Sequence, residues 1–380
     1  MKTLVIEGWR TSPHSYALVN QHQLLHLLEE PRLRVFHRDI PFFQAQWATL
    51  DSGLPAALQA RLAAIAPPPA EITADLTYRI SYPLRIHPGA GRVFVFATCE
   101  FSRQLADACV GSDGRPESAR PEAVDIVTSS SWSRRGFLRA GYAPGRVHVV
   151  PLGANPALAL PLAEAERIQL RQALQLRDGD FAFLNVSAMT WNKGIGPLIA
   201  AFAAHRRTHP NSVLVLKGGD ALYGSVIQSS IEEAVRLRAE ARDPTLIQSL
   251  RYIGQNLPWD TMYRLYHAAD AFVSPYRAEG FNLPVLEAMV SGLPVLATRG
   301  GATDDFCPDE ACFGIAADAA SGELGEYLEP RIESIIEQMN RVVEDADDRR
   351  RRLALAREHA VQQFSWERVS GQLTELVLAG

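Results

Sequence analysis

The chain reads as an α/β protein of two doubly wound, Rossmann-like domains facing a cleft, and three observations carry that reading. It opens twice in the same way, with a strand, a polar loop and a helix, first at Thr3 to Glu7 and again at Phe181 to Val186. Between residues 270 and 298 it strings together a strand, a glycine-bearing turn, a short helix and another strand. Its 380 residues suffice for two cores, since roughly 100–200 residues make one domain.

The first opening continues from its strand through Gly8, Arg10, Pro13 and His14 into a helix from Ser15, with Tyr16, Val19, Leu24 and Leu27 on one face. Pro67, Pro68 and Pro69 make a rigid loop. RVFVFAT (Arg92 to Thr98), VDIVTSS (Val124 to Ser130) and RVHVVPLG (Arg146 to Gly153) are further strands, and Pro151, Gly153 and Pro156 read as a hinge. The second opening runs through Lys193 into a helix carrying Ile195, Leu198, Ile199 and Phe202. SVLVLKGG, a long helix over Ser225 to Ala241, the strand LRYIGQ and the helix PWDTMYRLYHAAD follow. The end of the chain is helical and charged. Its run Arg349 to Arg352 reads as a solvated helix face ahead of a contact with anionic lipid.

The segment Arg277 to Thr298, RAEGFNLPVLEAMVSGLPVLAT, is the most informative. DAFVSP before it and PVLAT at its end are strand-length apolar runs. Asn282 suits an N-cap, Pro284 the first turn, and Gly292 with Pro294 the stop, so the spacing predicts a helix from Leu283 to Ser291. The first N–H groups of such a helix have no intrahelical acceptor and favour a phosphate or other anion. Glu279 and Glu287, eight positions apart, then either accept hydrogen bonds from sugar or ribose hydroxyls or merely complement the helix dipole.

Composition sets bounds. The chain is 47% hydrophobic and 21% charged, ordinary for a globular protein. No apolar run approaches the roughly 20 residues of a membrane span, and MKTLVIEGWR lacks the pattern of a signal peptide, so a cytoplasmic location is expected. Cys99, Cys109, Cys307 and Cys312 have neither CxxC spacing nor scaffold density, which predicts reduced thiols and no zinc site. A net charge of −5 argues against nucleic acid. Up to Ala154 there are 16 Lys+Arg against 13 Asp+Glu, leaving 22 against 30 beyond, a mildly basic first half that suits a phosphate-bearing or membrane-surface acceptor.

The segment Glu279 to Thr298 resembles the signature of the family 4 retaining glycosyltransferases of the GT-B fold. The match includes the Glu-x7-Glu spacing, the Gly-Phe pair, Glu-Ala-Met and Gly-x-Pro-Val. PLGAN (Pro151 to Asn155), WNKGIGPLIAAF (Trp191 to Phe202), LYHAADAFVSP and FSWERV (Phe364 to Val369) extend it more weakly.

The resemblance implies an acceptor-binding domain of residues 1–154 plus 361–380 and a nucleotide-sugar-binding domain of 155–360. It implies a donor, UDP- or GDP-linked, with its diphosphate on Gly280, Phe281, Asn282 and Leu283, its ribose on Glu287 and its sugar on Glu279. Lys193 matches the lysine that neutralises the departing diphosphate. Ala188 stands where the family often has an arginine, and Lys217 is the candidate to supply that charge.

Asp304-Asp305 and Asp345/Asp347 make no convincing DxD, so no metal and no cofactor are expected. No residue announces itself as a nucleophile, and the resemblance implies retention through front-face attack, in which the leaving phosphate takes the acceptor proton. His14, Glu100 and Arg79, with Tyr82, are candidates for an acceptor that is a glycan, a lipid-linked sugar or a small molecule. Peripheral contact at the inner membrane face is compatible with such an acceptor. Trp9, Trp191 and Trp366 read as packing residues. The rival readings are an inactive scaffold on the same fold, favoured by Ala188, and an epimerase or phosphorylase.

Overall fold

The computed structural model describes every residue except Pro13, 45–46, 48–53, 102–107, 112–113, 116–121 and 380. Pro13, placed above in the first loop, therefore lies outside the described residues. The chain divides into two compact units. Unit one is Met1–Gly153 with Glu323–Gly325 and Trp366–Gly380, and unit two is Ala154–Gly322 with Glu326–Ser365.

In unit one, β1 (Lys2–Gly8) buries Leu4, Val5 and Ile6 in succession, as a strand covered on both faces requires. It is followed by α1 (Ser15–Leu27), β2 (Leu33–Asp39), α2 (Ala56–Ala63), β3 (Leu76–Ile80), β4 (Arg92–Phe96), β5 (Asp125–Thr128), α3 (Ser131–Arg139) and β6 (Val147–Val149). The strands are parallel, in the order β2-β1-β3-β4-β5-β6. That order reverses direction between β1 and β3.

Unit two contains α4 (Glu164–Ala173), β7 (Phe181–Val186), α5 (Ile195–His205), β8 (Ser212–Lys217), α6 (Asp220–Tyr223), α7 (Ile227–Leu237) and β9 (Leu250–Ile253). Next come α8 (Trp259–Ala268), β10 (Ala271–Ser274), α9 (Leu283–Val290), β11 (Val295–Thr298) and β12 (Phe313–Ile315). Its parallel sheet has the order β12-β11-β10-β7-β8-β9, reversing between β7 and β10. A separate two-stranded sheet, β13 (Ala317–Gly322) with β14 (Gly325–Pro330), was not foreseen. The helices α10 (Ile332–Glu344) and α11 (Ala346–Gln363) complete this unit. The almost wholly apolar α5 is buried nearly all round, in one core with Phe183, Leu214, Val273 and Met339. The last helix, α12 (Trp366–Leu378), belongs to unit one, where Trp366 stacks on His22 of α1 at 4.5 Å.

Four expectations are corrected. The long helix over Ser225 to Ala241 is shorter, because Arg238 turns extended after α7 and pairs with Glu333 at 2.7 Å; a 3-10 turn follows at Ala239–Arg242. Asn282 stands at the N-cap of α9, but in the left-handed conformation (φ 75°), and its side chain makes no cap; it donates instead to the Ser274 hydroxyl at 2.9 Å. Cys307 and Cys312 form a disulfide, because Ala311 and Cys312 both donate to the Pro308 carbonyl and wind the chain back until the two Cα atoms are 6.1 Å apart. The basic run is partly turned inward: Arg349 donates to the Val342 and Val343 carbonyls at the end of α10, and Arg352 to the Cys312 carbonyl. Arg350 and Arg351 pair with Asp347 and Asp348. Among the described residues no helix is long and apolar enough to cross a membrane.

Candidate functional site

In open α/β sheets, ligands bind outside the carboxyl ends of the strands where the strand order reverses. In unit two that point lies between β7 and β10, which pair through Phe183 with Ala271 and Leu184 with Phe272. The loop leaving β7 carries Lys193 and the loop leaving β10 carries Glu279. Their side chains meet, Lys193 Nζ to Glu279 Oε1 at 3.0 Å, and both are largely buried.

The two loops are laced together by their backbones. The Asn192 carbonyl accepts from the N–H groups of Arg277 (2.8 Å) and Ala278 (3.1 Å), and the Asn192 amide donates back to the Ala278 carbonyl. Gly194 adopts φ 68°, and a Cβ there would lie 1.9 Å from the Pro275 carbonyl oxygen, so this close approach admits only glycine.

Beneath them lies Arg277, a residue to which sequence reasoning gave no role. Its guanidinium donates to Glu329 through Nε and Nη2, to Glu233 through Nη2, all at 2.8 Å, and to the Trp191 carbonyl at 3.0 Å. It also lies over the Trp191 ring, 4.5 Å from the centroid. Burial works against its charge, but the bonds to Glu329 and Glu233 outweigh burial and leave its pKa raised. Trp191, expected to pack, is 45% exposed and is held between Arg277 and Tyr327.

Gly280, Phe281, Asn282 and Leu283 form one continuous turn into α9. Phe281 is buried and stacks on Phe306 at 4.5 Å. Because the Asn282 side chain is tied to β10, it does not occupy the helix N-terminus. Glu287, one turn in, accepts a 2.6 Å hydrogen bond from the Tyr266 hydroxyl. Burial pushes its pKa up to about 7, against the opposing pull of that bond. Tyr266 is the second functional candidate the sequence did not announce. Lys217, at the end of β8, is buried and donates to the Gly218 carbonyl; burial lowers its pKa, with Asp220 opposing. The structure thus brings Lys193 and Glu279 into contact, whereas the hydrogen bond of Lys217 is made to its own chain neighbour.

The unit-one candidates stand in different surroundings. His14 caps α1, its Nδ1 accepting from the Tyr16 N–H at 3.1 Å, and stacks on Trp47 with centroids 5.3 Å apart. It is half-buried, and burial lowers its pKa to about 4. Arg79, at the end of β3, is buried and pairs with Glu7 at 2.9 Å. Glu100 follows β4, and its carbonyl accepts from the Trp132 indole at 2.6 Å. Tyr82 is an edge-on neighbour of Phe43.

Two Rossmann-like units, one with a buried charge pair and a helix N-terminus at its switch point, define the class: an α/β protein of the GT-B architecture. Residues 166–359 match the family model described as "Glycosyl transferases group 1", half of the chain, and the protein belongs to that family.

Among curated relatives it is 29% identical over 269 residues to alpha-maltose-1-phosphate synthase of Mycolicibacterium smegmatis, covering 68% of this chain and 64% of that one. It is 26% identical over 204 residues to glycogen synthase of Mycobacterium tuberculosis, covering 53% of this chain and 44% of the relative. The chain thus spans less than two thirds of the length of these relatives. Solved structures share the fold: HepE of Anabaena in complex with UDP-glucose, at TM-score 0.70 and 16% identity, and WaaG, a glycosyltransferase involved in lipopolysaccharide biosynthesis, at 0.66 and 16%. Each covers 100% of both chains.

Proposed function

We propose that the protein transfers a sugar from a UDP- or GDP-sugar to a glycan, lipid-linked or small-molecule acceptor, with retention and without a metal. The observation that carries this reading is the Lys193–Glu279 pair at the switch point beside the start of α9. Departure of a nucleoside diphosphate puts charge on the leaving oxygens, and preorganised positive groups there are typically worth a few kcal/mol each.

On this reading Lys193 and the first turn of α9, from Gly280 to Leu283, take that charge. Glu279, released from Lys193 when the diphosphate arrives, orients the donor sugar through its hydroxyls. Glu287 accepts from the ribose, with Tyr266 holding its carboxyl in place. Lys217 adds positive potential from the end of β8, in place of the arginine missing at Ala188. The phosphate that leaves takes the acceptor proton, so no carboxylate nucleophile is required. His14, Glu100 and Arg79 are assigned to the acceptor, which unit one binds. The presence of UDP-glucose with HepE supports a nucleotide-sugar donor.

The test is calorimetry with UDP and GDP together with a donor-hydrolysis and transfer assay. Lys193→Ala and Glu279→Ala should each lower turnover by at least about tenfold, the scale of one lost leaving-group or positioning contact. Wild-type turnover in both variants defeats the assignment, and nucleotide binding without any turnover of the wild type favours a scaffold.

A further inference from the structure

After β3 the chain does not form the helix usual in a doubly wound domain but crosses to β4 through a loop over residues 81–91. Beneath residues 85–90 of that loop, over β1, β2 and β3, lies a cavity of about 380 Å³, within the roughly 300–1,000 Å³ typical of small-molecule sites. Arg38, Arg79, Arg85, Glu7, Thr77 and His87 give it its chemistry.

Its charge is unbalanced and organised. The Glu7 carboxylate bridges two guanidinium groups, Arg38 at 2.6 Å and Arg79 at 2.9 Å. Arg85 forms no ion pair among the described residues, so three guanidinium groups face one carboxylate. Arg79 is aimed by its own bonds: Nη1 donates to the carbonyls of Arg85 (3.0 Å) and His87 (2.6 Å), which pins the loop as the cavity's wall. A Cβ on Gly89 would lie 2.8 Å from Arg79 Nη2, so this glycine leaves the space in front of that nitrogen open. The crowding registers in Arg79 itself: burial lowers its pKa, Glu7 opposes, and Arg85 and Arg38 push it down further.

His87 adds a second demand. Its Nδ1 lies 2.8 Å from the Pro88 carbonyl, and since a carbonyl only accepts, Nδ1 carries the proton. The Nε2 atom is then a bare acceptor, and it is buried with no partner. A buried acceptor without a partner is unfavourable, and since His87 lines the cavity, a ligand hydroxyl that reached this atom through a small shift of the ring would satisfy it.

We infer that this cavity is a binding site for a small phosphomonoester that also carries hydroxyls, the phosphate lying among Arg38, Arg79 and Arg85 and a hydroxyl donating to His87 Nε2. Arginine forks match phosphate oxygens, and the apolar remainder of the wall, Val5 and Ile40 among it, suits a compact body rather than a polyanion. Arg79, given above to the acceptor, serves this ligand instead; apart from that one role the inference rests on the cavity alone and stands whether or not the transferase reading does.

The experiment is calorimetry of the full chain with glucose 6-phosphate, inorganic phosphate and glucose, at constant ionic strength set with chloride. Glucose 6-phosphate should bind best, phosphate more weakly and glucose undetectably. Arg85→Gln, at a partly exposed position, should weaken glucose 6-phosphate at least tenfold, and His87→Phe should bring its affinity down to that of phosphate. The melting temperature and the circular dichroism spectrum, measured in the same variants, should be unchanged and show that the fold is intact. The inference is overturned if neither phosphate compound binds, or if Arg85→Gln binds glucose 6-phosphate like the wild type.

Discussion

At the switch point of unit two a cation and a carboxylate meet at 3.0 Å, Lys193 with Glu279, whereas at that of unit one the loop after β1 closes on aromatic rings, His14 packed against Trp9, Trp47 and Tyr16. Both sheets are parallel and both reverse their strand order, so the backbone offers a binding crevice in each. The side chains decide what each crevice does. In unit two a buried charge network holds groups that the proposed function exchanges for a charged ligand. In unit one the histidine is kept neutral by burial and is already committed as a helix cap. Topology therefore supplies the position, and the polarity of the loop supplies the chemistry.

The largest way to break this contrast is through Arg277. Arg277→Met leaves the Glu233 and Glu329 carboxylates without their partner and unlaces the loop carrying Lys193. Breaking a buried pair costs about 3–5 kcal/mol. The partial exposure of Glu329 reduces that toward about 2 kcal/mol, read as a lower denaturation midpoint. Turnover should fall with it, while a comparable substitution in the aromatic loop of unit one should spare donor binding.

Next in size is Glu287. Its pKa is raised to about 7, so the carboxylate that the proposed function assigns to a ribose hydroxyl forms only as pH rises through that value. UDP affinity should increase from pH 6 to pH 8 in the wild type. In Glu287→Gln it should be flat with pH and weaker at pH 8 by about tenfold, the worth of one charge-assisted hydrogen bond. For stability the sign is opposite. A raised carboxyl pKa contributes below the ordinary value of 4.5 and loses that contribution as pH rises through about 7, so the variant should gain on the wild type at pH 8 and not at pH 5. A wild-type affinity that does not change with pH would remove Glu287 from the ribose.

His14→Asn should have the smallest effect. Asparagine keeps the cap, so the loss should be about 1 kcal/mol or less, from the ring contacts. Because burial holds His14 at about 4, its contribution is fully present above pH 6.5 and is lost as pH falls toward 4. The variant should therefore show a shallower fall in melting temperature over that window. Acceptor KM should rise in the same variant, since His14 is assigned to the acceptor, and an unchanged KM would remove it from that site.

Much of this was legible in the sequence because it is local. The doubled strand-loop-helix openings follow from hydrophobic periodicity, and the start and stop of α9 follow from Pro284, Gly292 and Pro294 within one or two positions. Phe181–Val186 is a strand over the expected residues. The Glu-x7-Glu segment needs only its own spacing to be recognised. What failed was also local in appearance but settled elsewhere: Asn282 has the right identity for an N-cap, yet the Ser274 hydroxyl on β10 claims its side chain. Cys307 and Cys312 lack a recognised spacing, and their approach depends on the turn at Pro308.

The sequence by itself determined the α/β class, the doubling and the residues of the turn into α9, since each is written in patterns shorter than about 20 residues. Only the tertiary structure decided that β7 lies beside β10, that Lys193 therefore reaches Glu279, and that Arg277 braces both loops from below. Strand order in a parallel sheet is fixed by how crossover helices pack on its faces. Those contacts join residues far apart in the chain, where no local pattern records them.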